Sequence, residues 1–179
     1  PNQIRRLRYL GNISYATSYG NQDQARGTSE NLACSDLLYQ DNVVIGSRFT
    51  GFSSRGGPAN INGVGAVWQN NTVIMTDVGK GVGATGMSMD SPSDWYGSRN
   101  YKGVFEQNLI LKIGGGTGTG LYIEDPISNG QTGNILAWER RYNNVFGFTT
   151  AFIPTGSTGN GTHANNTTTN PSLGNARAC

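Results

Sequence analysis

Apolar residues come in short runs broken by Gly and Asn, and no stretch keeps the i, i+3, i+4, i+7 spacing for the 10 to 12 residues that an amphipathic helix needs. The pattern predicts an all-β chain. Strands are expected over 4–15, 42–53, 64–68, 72–78, 104–113, 121–123, 135–142 and 145–153, each bounded by turn-forming residues. In 145–153 the alternation places Phe146, Phe148 and Phe152 on one face and Gly147, Thr149 and Ala151 on the other, as in a strand with one buried face. The run Asn108-Leu-Ile-Leu-Lys-Ile113 is nearly continuous in apolar character, as expected of a central strand buried on both sides. A weak helical turn is expected over 30–38.

Two long stretches fall between these strands. The segment 79–103 holds Met87, Met89, Trp95, Tyr96 and Tyr101 without a periodic pattern, and is expected to be a long functional loop. The segment 155–175 is Gly, Thr and Asn with Ala164 and Leu173 as its apolar side chains. It predicts a polar tail, so 1–154 is read as one domain and 155–179 as a tail or linker. The glycine run 114–120 lacks the Lys-Ser/Thr and the helix of a phosphate-binding loop, and is expected to be a hairpin connection.

Length and composition narrow the class. The chain has 179 residues, enough for one domain, and its 27 glycines with only 13% charged residues exclude a coiled coil. No apolar run reaches the roughly 20 residues of a membrane helix, so no membrane insertion is expected. The net charge of +2, from 13 basic and 11 acidic residues, is too weak for a nucleic-acid footprint.

Cys34 and Cys179 lie in no metal-ligand spacing, so no metal is expected. They are read as a disulfide whose closure would stabilise the chain by about 4 kcal/mol and call for an oxidising compartment. The alternative is two unpaired thiols. With no leader in view and Pro1 at its start, the sequence reads as a mature or trimmed fragment. The asparagines that head Asn-X-Ser/Thr sequons, Asn12, Asn70, Asn160, Asn165 and Asn166, are expected by chance in so Asn- and Thr-rich a chain.

Catalysis has little support. His163, the single histidine, is expected to be solvated in the tail. Glu124 and Asp125 would point to opposite faces of a strand, and no cofactor motif is present. A richer set lies in Ser88-Met-Asp-Ser-Pro-Ser-Asp-Trp-Tyr-Gly-Ser-Arg-Asn-Tyr101. There Asp90, Asp94, Arg99 and Asn100 stand among Trp95 and Tyr96, joining planar polar groups for hydroxyl pairs with aromatic faces for sugar rings. The expected ligand-binding residues are therefore Asp90, Asp94, Trp95, Tyr96, Arg99 and Asn100. The plainer alternative has Trp95 anchoring the loop to the core while the polar groups form turns, and the second candidate site is the short turn 141–144, with Tyr142 and two amides.

The order Val104-Phe-Glu-Gln-Asn-Leu-Ile-Leu-Lys-Ile113, a Gly/Thr-rich segment, Asn134-Ile-Leu-Ala-Trp138, Arg141-Tyr-Asn-Asn144 and Phe152-Ile-Pro154 resembles the last strands of receptor-binding domains of chaperone–usher fimbrial tip adhesins, the type 1 fimbrial lectins among them. Leu7-Arg-Tyr-Leu-Gly-Asn12 is similar to the start of related P-fimbrial tip adhesins. The resemblance implies an elongated immunoglobulin-like β-sandwich exported through the periplasm to the fimbrial tip, acting as a non-enzymatic lectin for a host glycan or glycoprotein. It also implies a pilin subunit, a periplasmic chaperone and an outer-membrane usher as partners. On that comparison Cys179 could instead open a following pilin domain. The alternative class is a structural or protein-binding β-domain of a surface assembly.

Overall fold

The structure is a computed structural model and describes residues 8–15, 19–23, 37–47, 50–54, 66–76, 84–89, 103–114, 117–123, 138–153 and 163–171. All regular elements among them are strands: β1 (Arg8–Leu10), β2 (Ile13–Tyr15), β3 (Tyr19–Asp23), β4 (Leu37–Gln40), β5 (Val43–Ser47), β6 (Thr50–Ser54), β7 (Ala66–Gln69) and β8 (Thr72–Thr76). They continue with β9 (Ala84–Met89), β10 (Gly103–Glu106), β11 (Leu109–Ile113), β12 (Gly118–Ile123), β13 (Trp138–Arg141), β14 (Asn144–Phe146), β15 (Thr150–Ile153) and β16 (His163–Ala164).

These strands wind into a parallel β-helix. The first sheet runs β1-β4-β7-β10-β13-β16, the second β14-β11-β8-β5-β2 and the third β15-β12-β9-β6-β3, so every third strand returns to the same sheet one coil further on. Every pairing is parallel. This overturns the immunoglobulin-like sandwich implied by the fimbrial resemblance, whose sheets are antiparallel.

The strand expectations change with it. The stretches expected as single strands at 4–15, 104–113 and 145–153 are each cut by a bend between sheets, at 11–12, 107–108 and 147–149. The three phenylalanines of 145–153 thus do not share one strand face: Phe146 lies in β14, Phe152 in β15, and Phe148 between them packs on the core with Phe152. The segment 79–103 carries strand β9, and Gly118 and Gly120 belong to β12 rather than to a hairpin. Leu37 and Leu38 of the expected helical turn are in β4, and His163 and Ala164 form β16.

One column from each sheet runs through the interior, with Met75 and Ile123 packed beside them. In the first, Tyr9, Tyr39, Trp68, Phe105, Arg140 and His163 are register neighbours. Trp68 stacks on Phe105 with ring centroids 4.5 Å apart and on Tyr39 at 5.7 Å, with interplanar angles of 9° and 6°. The parallel register imposes this: identical strand positions lie one strand spacing apart, which brings flat rings face over face. Val44, Val73, Ile110 and Val145 supply the second column, and Phe52, Met87, Leu121 and Phe152 the third. Inside the third sheet, in strand β9, glycine is required. A Cβ on Gly86 would lie 2.3 Å from Ile110 Cγ2 and 2.5 Å from the Gly120 carbonyl oxygen.

Candidate functional site

One corner of the coil is identical on every turn. Strands of the first sheet pass to the second through two residues, at 11–12, 41–42, 70–71, 107–108 and 142–143, and 165–166 follow β16 in the same way. The second residue of each pair is Asn: Asn12, Asn42, Asn71, Asn108, Asn143 and Asn166. Their amides form a continuous ladder. Asn108 Oδ1 accepts from the backbone N–H and the Nδ2 of Asn71, both at 3.0 Å, and Asn108 Nδ2 donates to Asn143 Oδ1 and to the Trp68 carbonyl, both at 2.9 Å. The same bonds recur at Asn42, Asn71 and Asn143. Four of these asparagines are fully buried, and the ladder satisfies backbone groups that the sharp bend would otherwise leave unpaired.

The first residue of each pair is held in the left-handed region: Gly11, Asp41, Asn70, Gln107, Tyr142 and Asn165 have φ between 54° and 63°. That conformation costs a residue other than Gly, Asn or Asp about 1–2 kcal/mol. At Gln107 and Tyr142 the sequence accepts that cost, and residues in such conformations gather at functional sites.

The corner also builds a surface. The last residue of each first-sheet strand points outward, because its predecessor fills the core, and the turn residue beside it is exposed. Four consecutive coils therefore present Gln40 with Asp41, Gln69 with Asn70, Glu106 with Gln107, and Arg141 with Tyr142. Every one of these side chains ends in an amide, carboxylate, guanidinium or phenol. Asn70 Nδ2 donates to Asp41, and Arg141 lies 3.6 Å from Glu106 and 3.5 Å from Glu139. Gln40, Gln69 and Gln107 take no side-chain hydrogen bond among the described residues, and the Tyr142 side is 55% exposed.

The binding residues expected from sequence, Asp90, Asp94, Trp95, Tyr96, Arg99 and Asn100, lie outside the described residues, as do Cys34, Cys179, Glu124 and Asp125. The interval holding that binding set joins β9 in the third sheet to β10 in the first. His163, expected in solvent, is half-buried in β16 with both ring nitrogens inside. Arg140 is buried with its guanidinium 5.1 Å from the Phe152 ring centroid, and burial pulls its pKa below the ordinary arginine value. No group of three His, Cys, Asp or Glu among the described residues could hold a metal ion.

Sequence reading reached Arg141 and Tyr142, through the 141–144 turn, and missed the rest of the eight-residue array. The sign of it was the recurring Gln40-Asp-Asn-Val-Val, Gln69-Asn-Asn-Thr-Val, Glu106-Gln-Asn-Leu-Ile and Arg141-Tyr-Asn-Asn-Val. No protein-family model, curated protein or solved structure matches the chain.

Proposed function

We propose that this chain is a non-enzymatic carbohydrate-binding module, and that the array from Gln40 to Tyr142 is its binding face. The observation that carries the reading is the alignment of planar polar side chains, two per coil over four coils, ending on an exposed tyrosine. Each amide offers a donor and an acceptor in one plane, which suits the paired hydroxyls of a sugar, and a phenol ring suits its C–H face. The carboxylates are engaged by neighbours, Asp41 by Asn70 and Glu106 with Glu139 by Arg141, which fits binding rather than general acid–base work. The pilin, chaperone and usher partners implied by the fimbrial resemblance presuppose a sandwich, and this fold gives them no support.

The test uses the two left-handed positions. Gln107→Gly with Tyr142→Gly removes both side chains where glycine is at ease, so stability should stay within about 1 kcal/mol of the parent. On an array of immobilised glycans the parent should give reproducible hits, and the double variant should bind those glycans roughly tenfold or more weakly. Unchanged binding by a folded double variant would remove the array from the reading.

A second reading, a protein-binding β-module, draws on the outer face of the second sheet, where Ile13 and Tyr15 are 75% and 73% exposed. It predicts no reproducible glycan hits at all.

A further inference from the structure

Resting on that reading, we infer that the ligand is an uncharged linear polysaccharide lying parallel to the axis of the β-helix, with one sugar residue set against each of four rungs. Register is unbroken from Gln40 through Gln69 and Glu106 to Arg141, so the rungs form a straight row rather than a patch. Parallel strands are about 4.8 Å apart, so the row repeats at close to the length of one pyranose unit in an extended chain and spans roughly 14 Å. A single sugar would meet one or two rungs, and a branched one would leave the row.

Asp41, Glu106 and Glu139 stand on or beside the row, and its one cation, Arg141, is already shared between two of these carboxylates. An anionic chain would meet more negative than positive charge there, and drawing Arg141 away would leave two carboxylates unpaired. The free amides of Gln40, Gln69 and Gln107 ask for neutral hydroxyls instead.

The strand pairing excludes an added peptide strand here. The backbones of β7 and β10 are hydrogen-bonded to neighbours on both sides, so these strands have no free edge for a peptide to join, and side chains carry the recognition.

The experiment is a calorimetric titration of the whole chain with cello-, malto- and manno-oligosaccharides of two to six residues, with oligogalacturonates of the same lengths as the anionic arm. In a neutral series that binds, affinity should rise by roughly tenfold or more from disaccharide to tetrasaccharide and flatten beyond it, and Gln69→Ala should reduce the gain on lengthening. Oligogalacturonates should bind more weakly than the neutral chain of equal length. Equal affinity for disaccharide and tetrasaccharide, or a preference for the galacturonates, would overturn the linear neutral ligand and leave carbohydrate binding standing. If neither this titration nor the glycan array gives any binding, the functional reading itself fails and this inference with it.

Discussion

Replacing Asn108 with alanine should cost about 2–6 kcal/mol, because it strands at least two buried donors, the Asn71 backbone N–H and one N–H of the Asn71 amide, at about 1–3 kcal/mol each, and opens the ladder at its centre. The same side chain also donates to the Trp68 carbonyl and to the amide of Asn143. Domains of ordinary stability have about 5–15 kcal/mol in total, so the variant should unfold at a much lower denaturant concentration or fail to accumulate. Asn12→Ala is the control. Asn12 stands at the end of the described ladder, is half-buried, and among the described residues makes its side-chain bonds to Asn42 and the Leu10 carbonyl. Its loss should cost about 1 kcal/mol. Equal effects at the two sites, measured by urea titration, would show that the ladder does not act as a connected unit.

Trp68→Ala should be comparably severe, at about 3–5 kcal/mol, since the ring is fully buried and stacked on both sides. Removing it separates Tyr39 from Phe105 and leaves a cavity that neighbouring coils cannot close, because their backbones are tied through the strand pairing above and below. Trp68→Phe retains a flat ring in the column and should lose less than half as much. If alanine and phenylalanine prove equivalent in chemical denaturation, stacking in this column contributes nothing beyond filling space.

The all-β character was legible because apolar residues fall in short runs between Gly and Asn. The winding of those runs was hidden. Successive ladder asparagines are 30, 29, 37, 35 and 23 residues apart, because the intervals joining the third sheet to the first range from 9 to 14 residues and others vary as well. A fixed-period search sees no repeat in such spacing. The bend itself is also disguised: two residues reverse no alternation in Leu109–Ile113, so β10 and β11 read as one strand. What does persist is the relation between each asparagine and the residue three before it, Tyr9, Tyr39, Trp68 and Phe105 preceding Asn12, Asn42, Asn71 and Asn108. Its physical basis is that each ladder amide donates to the carbonyl of that position one coil earlier, as Asn71 does to Tyr39 and Asn108 to Trp68. Most of the array escaped notice for a related reason. Its members are distant in sequence and become neighbours only through parallel register, whereas the aromatic and polar residues of 88–101 are gathered in one stretch.

Side-chain amide spectroscopy of the isotopically labelled chain tests the laddered parallel β-helix most directly. The Nδ2 protons of Asn42, Asn71, Asn108 and Asn143 should exchange slowly with solvent and show cross-relaxation from each rung to the next, across separations of 29 to 37 residues. Rapid exchange at these four amides with no cross-peaks between successive rungs would contradict the ladder, and with it the register that aligns the binding face.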